Sequence, residues 1–381
     1  MRILHVISSC NPATGGPIEG IKQFYKVYKK LNIEVNILSN DNPKDNFLND
    51  KRLPKVIATG PLPIIYKKLN NFNPKLLEWL KINIKNYDFI IVNGIWQFHN
   101  YAVYKVARKF NIPYFIFPHG MLDPWFNEKY FFKKIKKYIY WYLIQHKILN
   151  NAKKILFTSK TELKLAKKSF WPYNVREKFL GYGIKGNPYL GSKKNIFLKK
   201  YKTLKHKKIL LYLGRVAEKK GLDLLLTAFS YTKDSDMRLV IAGNNNNNYA
   251  KKIVALIDKL KIKKFITWTG PIYKKFKWDT YSAASLFCLP SHQENFGISV
   301  VESLSSGTPV LISNKINIHN IIKKYRCGYV NNDNLSGTLK SLNKWKKNKS
   351  KKLYKKSINC FNQNFQIETV VKKLIKILNE K

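Results

Sequence analysis

Residues 285–312, SLFCLPSHQENFGISVVESLSSGTPVLI, decide how the chain folds. The pattern predicts a short apolar strand at 286–289, a turn at 290–294, a helix to about Ser306, a glycine stop at Gly307 and a second strand from Pro309. Glu294 and Glu302 lie eight positions apart across the loop-to-helix junction. Were the whole segment helical, they would be separated by about 12 Å along the axis. That is too far to act on one bond and far enough to hold two ends of one extended ligand.

Working outward, residues 2–7, 33–38, 88–93 and 113–117 read as strands with apolar centres, and helix-like segments at 18–31, 75–84 and 101–110 fall between them. A second series follows a lysine-rich gap, with strands at 209–213, 238–242, 265–268, 286–289 and 309–312. Strands alternating with helices argue for parallel sheets, hence an α/β chain of two doubly wound domains. The expected division is 1–186 for the first domain, 187–206 for a linker and 207–364 for the second domain. Residues 365–381 carry apolar positions at helical spacing (Val370, Val371, Leu374, Ile375, Leu378) and should form a final amphipathic helix, crossing back to the first domain.

A length of 381 residues with 45% hydrophobic and 14% aromatic content is enough for two such cores. The four cysteines (Cys10, Cys288, Cys327, Cys360) have no paired spacing, which argues against a disulfide framework or a zinc site and for a reducing compartment. The opening residues MRILHVISSC read as a buried strand and not as a secretory leader, and no apolar run reaches membrane-spanning length. A cytoplasmic location is expected, peripheral on the inner face of the cytoplasmic membrane.

Lys and Arg number 71 against 22 Asp and Glu, a formal charge of +49. Such an excess attracts polyanions: nucleic acid, anionic lipid or phosphorylated substrates. Lys, Asn and Ile are also enriched together, down to the asparagine run at 244–248, so compositional bias explains part of it equally well.

Ligands of open parallel sheets bind beyond the carboxyl ends of the strands, and several candidates fall there. Gly15 and Gly16 follow the first strand and open a helix, where backbone N–H groups can meet an anion; a simple tight turn reads equally well. His119 follows the strand at 113–117, a position open to a structural or a ligand-facing histidine. Arg215 and Lys220 lie in LGRVAEKKG (213–221) between a strand and a convincing helix, placed to clamp phosphates. A solvated basic turn is the competing reading, weaker for Arg215 because the chain has few arginines.

Taken together, GGP (15–17), PHGMLDPW (118–125), LGRVAEKKGLDLLLTAF (213–229) and ENFGISVVESLSSGTPVL (294–311) resemble glycosyltransferase family 4, the retaining, metal-independent sugar-nucleotide transferases of the GT-B fold, over nearly the whole chain. The resemblance implies two Rossmann-like domains facing each other across a cleft. It implies a nucleotide-diphosphate sugar as co-substrate and no metal or other cofactor. Arg215 and Lys220 would then neutralise the diphosphate and its developing charge, and Glu302 would accept from the ribose hydroxyls. Glu294 would hold hydroxyls of the donor sugar, with backbone N–H groups of Phe296, Gly297 and Ile298. Gly16, beside Gly15, would approach the diphosphate, Ile272 would flank the base, and His119 would sit near the sugar as a hydrogen-bonding partner. The catalytic set is thus His119, Arg215, Lys220 and Glu294. Retaining glycosidases place two carboxylates about 5 Å apart; no such pair is evident from spacing, and the family instead implies front-face attack. Where many relatives carry Asn-Gly-Val-Asp, this chain has Gly181-Tyr182-Gly183-Ile184-Lys185.

Residues 129–150, KYFFKKIKKYIYWYLIQHKILN, mix Phe131, Phe132, Ile135, Ile139, Tyr142 and Leu143 with Lys133, Lys134, Lys136 and Lys137. That is the composition of a helix lying in an anionic headgroup layer, and equally of a core helix with a basic outer face. The expected function is transfer of a hexose-type sugar to a glycan or lipid-linked acceptor in cell-surface polysaccharide or lipopolysaccharide synthesis, with an anionic membrane surface as a partner. The alternatives are another sugar-nucleotide enzyme of the same fold, an epimerase or phosphorylase, and, more distantly, a nucleic-acid-binding protein. No nucleic-acid module is visible, and nucleic acid is not expected as a partner.

Overall fold

A computed structural model describes residues 1–125, 131–191, 195–348 and 352–380. The chain divides into two compact units, Met1–Gly183 with Ile367–Lys381, and Ile184–Gln366.

The first unit is a seven-stranded parallel sheet. Its strands are β1 (Arg2–Ile7), β2 (Glu34–Ser39), β3 (Lys55–Ala58), β4 (Phe89–Asn93), β5 (Tyr114–Phe117), β6 (Lys154–Phe157) and β7 (Glu177–Phe179), in the order β3-β2-β1-β4-β5-β6-β7. Alternate strand residues point to opposite faces, so each strand feeds two cores. Leu4, Val6, Ile90, Val92 and Ile116 pack on one face with the helices Pro74–Asn83 and Phe98–Lys109. Ile3, Val35, Ile91, Phe115 and Leu156 pack on the other with the helix Gly16–Lys30. The helix Ile367–Leu378 belongs to this second core, burying Val370, Val371, Leu374, Ile377 and Leu378 alongside Phe24, Val27 and Tyr28. Each such side chain contributes about 1.5–3 kcal/mol when fully removed from water.

The second unit is a six-stranded parallel sheet of β8 (Lys208–Leu213), β9 (Met237–Ala242), β10 (Ile266–Trp268), β11 (Leu286–Leu289), β12 (Val310–Ser313) and β13 (Gly328–Asn331), ordered β10-β9-β8-β11-β12-β13. In both sheets the strand order reverses beside the first strand of the series, between β1 and β4 and between β8 and β11. Those are the switch points at which open α/β sheets form a ligand crevice.

Four strands are not predicted from the sequence: β3, β6, β7 and β13 are three or four residues long, and a lysine or glycine at the start of β3, β6 and β13, or within β7, leaves at most three apolar residues in a row. Of residues 187–206, expected as a linker, the described stretches 187–191 and 195–206 are folded into the second unit. The Asn187 N–H donates to Ser305 Oγ at 3.2 Å, the Ile196 N–H donates to Asp279 Oδ2 at 2.9 Å, and Phe197 packs on Phe276 with ring centroids 5.6 Å apart. The helix expected to run to Ser306 begins only at Ile298, which leaves Glu294 in the preceding loop.

Candidate active site

In the second unit the site is built where the β8 and β11 loops meet. The chain leaves β8 at Leu213, and Tyr212 turns its hydroxyl back to donate to the Arg215 carbonyl at 2.8 Å. A single 3-10 turn, Glu218–Lys220, then ends at Gly221, whose φ of 65° is left-handed. A Cβ at Gly221 would run into the Pro290 carbonyl oxygen at the end of β11. Glycine is therefore required twice over, for conformation and for close approach. The His292 N–H donates to the Lys219 carbonyl at 2.9 Å and ties the two loops together.

This approach carries Lys220 onto Glu294: the ammonium donates to Oε2, with both side chains mostly buried. Burial, followed by the positive charges of Lys219 and Arg215, pulls the Lys220 ammonium down to about 7. The Glu294 carboxylate is the contact that opposes this and favours the charged form. Arg215 itself is exposed, and among the described residues its guanidinium has no hydrogen-bonded or ion-paired partner. The result is a cluster of positive charge held apart by one carboxylate, a receptor suited to an anion.

The Glu294 loop is pinned from the β12 side. The Glu294 N–H donates to the Lys315 carbonyl at 3.2 Å, and the Asn317 N–H to the Glu294 carbonyl at 3.1 Å. Gly297, with φ 78°, precedes the helix Ile298–Ser305 without a side-chain cap, and with the Val300 N–H donating to its carbonyl at 2.9 Å, the N–H groups of Ile298 and Ser299 are the first-turn donors left for an anion or hydroxyl. The Phe296 ring turns inward against Phe365, with ring centroids 5.7 Å apart, and Ile272 is buried. Glu302 is engaged by a different cation: Lys277 donates to Oε1 at 2.5 Å and the Tyr281 hydroxyl to Oε2 at 3.0 Å.

In the first unit, Gly15 (φ 104°) precedes the helix Gly16–Lys30, whose start also lacks a side-chain cap. A Cβ at Gly15 would meet nothing within 4 Å, so its backbone conformation alone calls for glycine. Tyr182 holds this turn: its hydroxyl donates to the Gly16 carbonyl at 3.2 Å, and its ring fills the space a side chain at position 20 would need. The departure from the family pattern at 181–185 thus places a buried tyrosine against the glycine turn.

His119 also sits at positive φ, 50°, followed by Gly120 at 79°. A non-glycine residue in that region is strained, and such residues cluster at ligand sites. Its ring stacks on Phe117 at 5.4 Å, and Nε2 lies 3.2 Å from Asn93 Oδ1 at the end of β4. Burial lowers His119 to about 4, so the imidazole is neutral at physiological pH. With Nε2 donating to Asn93, Nδ1 remains as the acceptor. Asn93 continues the chain to His5 Nδ1 at 3.2 Å, and His5 is lowered to about 3 by burial, then by His119.

Beneath the turn lies Glu162, buried, accepting from the Gly120 N–H at 2.7 Å, the Thr158 N–H at 2.8 Å and the Thr158 hydroxyl at 2.6 Å. Its signal was present in Ser159-Lys160-Thr161-Glu162, a capping-box pattern. Ser159 does cap the Glu162 N–H at 2.9 Å, but the carboxylate reaches Gly120, which sequence could not foretell. Asn93, Tyr182, Lys277 and Tyr281 likewise act through contacts between distant segments.

A further cavity of about 380 Å³ opens beyond β1, β2 and β3, with Ser8, Ser9, Asn40, Asp41 and Lys67 in its wall. Asp41 is buried and accepts from the Ser9 hydroxyl at 2.5 Å and the Cys10 N–H at 2.6 Å. Among the described residues, no group of three or more His, Cys, Asp and Glu is placed to hold a metal ion.

Residues 193–379, which contain this Lys220–Glu294 cluster, match the family model described as glycosyl transferases group 1. This segment is thus a group 1 glycosyltransferase domain. The glycosyltransferase is 21% identical over 336 residues to mannosylfructose-phosphate synthase of Agrobacterium fabrum, a match spanning 79% of this chain and 71% of that protein. A relative of higher identity, 33%, aligns over only 24% of its own length. HepE of Anabaena, solved in complex with UDP, has the same fold, with a TM-score of 0.80, 16% identity and 99% of each chain covered. So does WaaG, described as a glycosyltransferase involved in lipopolysaccharide biosynthesis, with a TM-score of 0.72, 15% identity and 100% of each chain covered. The glycosyltransferase therefore has the GT-B fold, as the sequence motifs implied.

Proposed function

We propose that the chain is a retaining, metal-independent glycosyltransferase that moves a hexose-type sugar from a nucleotide-diphosphate sugar to a glycan or lipid-linked acceptor in cell-surface polysaccharide or lipopolysaccharide synthesis. The observation that carries the reading is the meeting of Lys220 and Glu294 at the switch point of the second sheet, with Arg215 exposed beside them. A diphosphate arriving there exchanges the Lys220–Glu294 contact for its own. Lys220 and Arg215 neutralise the leaving group, the step from which most of the rate gain comes, and Glu294 is released to accept from sugar hydroxyls. Two fixed cations fill the role a divalent ion would otherwise serve.

Glu302 takes the ribose, Ile272 flanks the base, and the first-turn N–H groups at Phe296, Gly297 and Ile298 assist at the sugar. In the first unit, Gly15 and Gly16 are assigned to phosphate and His119 to the sugar, as a neutral hydrogen-bonding group. The polar cavity beside Asp41 is the seat proposed for a hydroxyl-rich acceptor. The UDP bound by HepE makes uridine donors the first to try.

A thermal-shift panel of nucleotide sugars tests the reading. A donor at a hundred times its Kd should add about 2.7 kcal/mol of stability, followed by transfer or slow hydrolysis that survives a chelator. A panel without any stabilising nucleotide sugar refutes it.

A specific observation also favours a membrane-facing acceptor. The helix Phe131–Tyr140 runs through a π turn, Trp141–Gln145, into the helix His146–Asn151. Trp141, Gln145, Ile148 and Leu149 face the core, while Ile135, Ile139, Tyr142 and Leu143 lie 48–61% exposed on the other side, beside Lys136. Lys129 and Tyr130 of the expected segment fall outside the described residues. Trp171, 78% exposed, borders the same region across a groove shared with Tyr138. Apolar side chains with lysines among them match an anionic bilayer surface; no helix among the described residues is long and apolar enough to cross one. Equal binding to neutral and anionic vesicles at moderate salt would remove this docking mode.

A further inference from the structure

Glu302 is gripped from outside its own helix at both carboxylate oxygens. Lys277 Nζ donates to Oε1 at 2.5 Å and the Tyr281 hydroxyl donates to Oε2 at 3.0 Å. The two donors are four residues apart on the helix Lys274–Ala283, so one face of that helix presents both. The Tyr281 side chain is fully buried. Burial, and then the neighbouring Glu302, push its phenol well above the ordinary value, so it stays a donor across physiological pH. The Lys277 ammonium lies 4.6 Å from the centroid of the Trp278 ring, a second contact that restricts where it can go.

A carboxylate offers about four acceptor sites, two on each oxygen. Lys277 takes one on Oε1 and Tyr281 takes one on Oε2. One site on each oxygen is left, and a vicinal diol supplies two O–H donors at the spacing of two carboxylate oxygens. With only one oxygen held, the carboxyl group would be free to turn about its last bond and present a single acceptor. With both held, it presents a fixed pair.

We propose that Lys277 and Tyr281 are positioning residues that lock the Glu302 carboxylate into a bidentate receptor for the 2′,3′-diol of the donor's ribose, and so make the donor site select ribonucleotides over 2′-deoxyribonucleotides. The inference rests on the assignment of Glu302 to the ribose given above. Lys277 and Tyr281 touch no part of the donor; they act through Glu302.

The test uses the full chain and direct calorimetric titration with UDP, GDP and their 2′-deoxy counterparts, on the parent and on Lys277→Met, Tyr281→Phe and Glu302→Gln. Losing one neutral-to-charged hydrogen bond changes affinity by about tenfold, so the parent should prefer the ribonucleotide by about that factor. Lys277→Met and Tyr281→Phe should each reduce the preference to about threefold or less, by weakening the ribonucleotide while the deoxynucleotide Kd stays put. Lys277→Arg should restore most of it. With a transferable donor, KM should rise and kcat should hold, a split that general loss of structure would not give.

Retention of the parent preference in both Lys277→Met and Tyr281→Phe, with Glu302→Gln losing it, overturns the positioning role alone. Tighter UDP binding in Lys277→Met also overturns it, because Lys277 would then be competing with the ribose. Retention of the preference in Glu302→Gln, or no binding of any of the four nucleotides, overturns the ribose assignment and the inference with it. Unaltered far-ultraviolet dichroism and melting in each variant keep the comparison to folded protein.

Discussion

Lys220 and Glu294 are 74 positions apart in the chain and ion-paired in the fold. Removing one partner of a largely buried pair strands the other charge, and the penalty exceeds that of removing both. Glu294→Gln is therefore expected to destabilise the protein by about 3 kcal/mol, and the double variant Lys220→Met, Glu294→Gln by less than the sum of its singles. Denaturant titration of all four proteins checks this; strict additivity would mean the contact carries no energy.

Gly221 makes that pairing geometrically available. Gly221→Ala places a Cβ against the Pro290 carbonyl and holds a non-glycine residue at φ 65°. About 2–4 kcal/mol of stability should go, and nucleotide affinity with it, because the β8 loop must back away from β11. Gly15→Ala, where a Cβ meets nothing, should cost about 1–2 kcal/mol from backbone conformation alone.

The low Lys220 value implies a pH signature in donor binding. Below about pH 7 the ammonium is present before and after binding, so affinity is flat. Above it the free amine must take up a proton when a diphosphate arrives, because the anion raises its pKa again. Affinity should then fall by up to about tenfold per pH unit, with proton uptake visible as a buffer-dependent heat. Lys220→Met should bind weakly and without that slope; an unchanged slope would assign the proton elsewhere.

Glu162 should behave as the foundation of the His119 turn. Glu162→Ala leaves the buried N–H groups of Gly120 and Thr158 unpaired, at about 3 kcal/mol. Glu162→Gln, which retains an acceptor, is the milder probe. It should lower kcat through a displaced His119 and leave UDP binding within about twofold of the parent.

His5 gives the protein a particular acid sensitivity. Its folded value is about 3, below the unfolded value of about 6.5. Between these pH values the unfolded chain binds a proton that the native state refuses, so stability falls as pH falls. His5→Asn should flatten that fall by about 1.4 kcal/mol per pH unit between pH 6 and pH 4, measured by denaturant titration along the pH series.

What was legible in the sequence follows from how local each signal is. The strand ends carrying Arg215, Lys220, His119 and Glu294 could be read because a buried parallel strand is a run of apolar residues and its exit loop is the next few positions. The strands β3, β6, β7 and β13 were not, because three or four residues with a lysine or glycine among them give no periodicity to detect. Residues 187–206 look like a tether by composition, yet Phe197 finds an aromatic partner at Phe276, far along the chain. The same limit applies at the site. The types and order of the candidate site residues follow from motif spacing, whereas the pairings Lys220–Glu294, Lys277–Glu302 and Gly120–Glu162 join segments that only the fold makes neighbours.

The helix Ile367–Leu378 is synthesised after the whole of the second unit and yet fills the core of the first. On a translating ribosome, residues 184–366 can complete their own sheet while the first sheet still lacks the side chains that cover one of its faces. The unit begun first is therefore the unit finished last, and its uncovered Phe24, Val27 and Tyr28 surface is the face a chaperone would meet during synthesis. A stop codon placed before Ile367 should leave the second unit folded and send the first into aggregation.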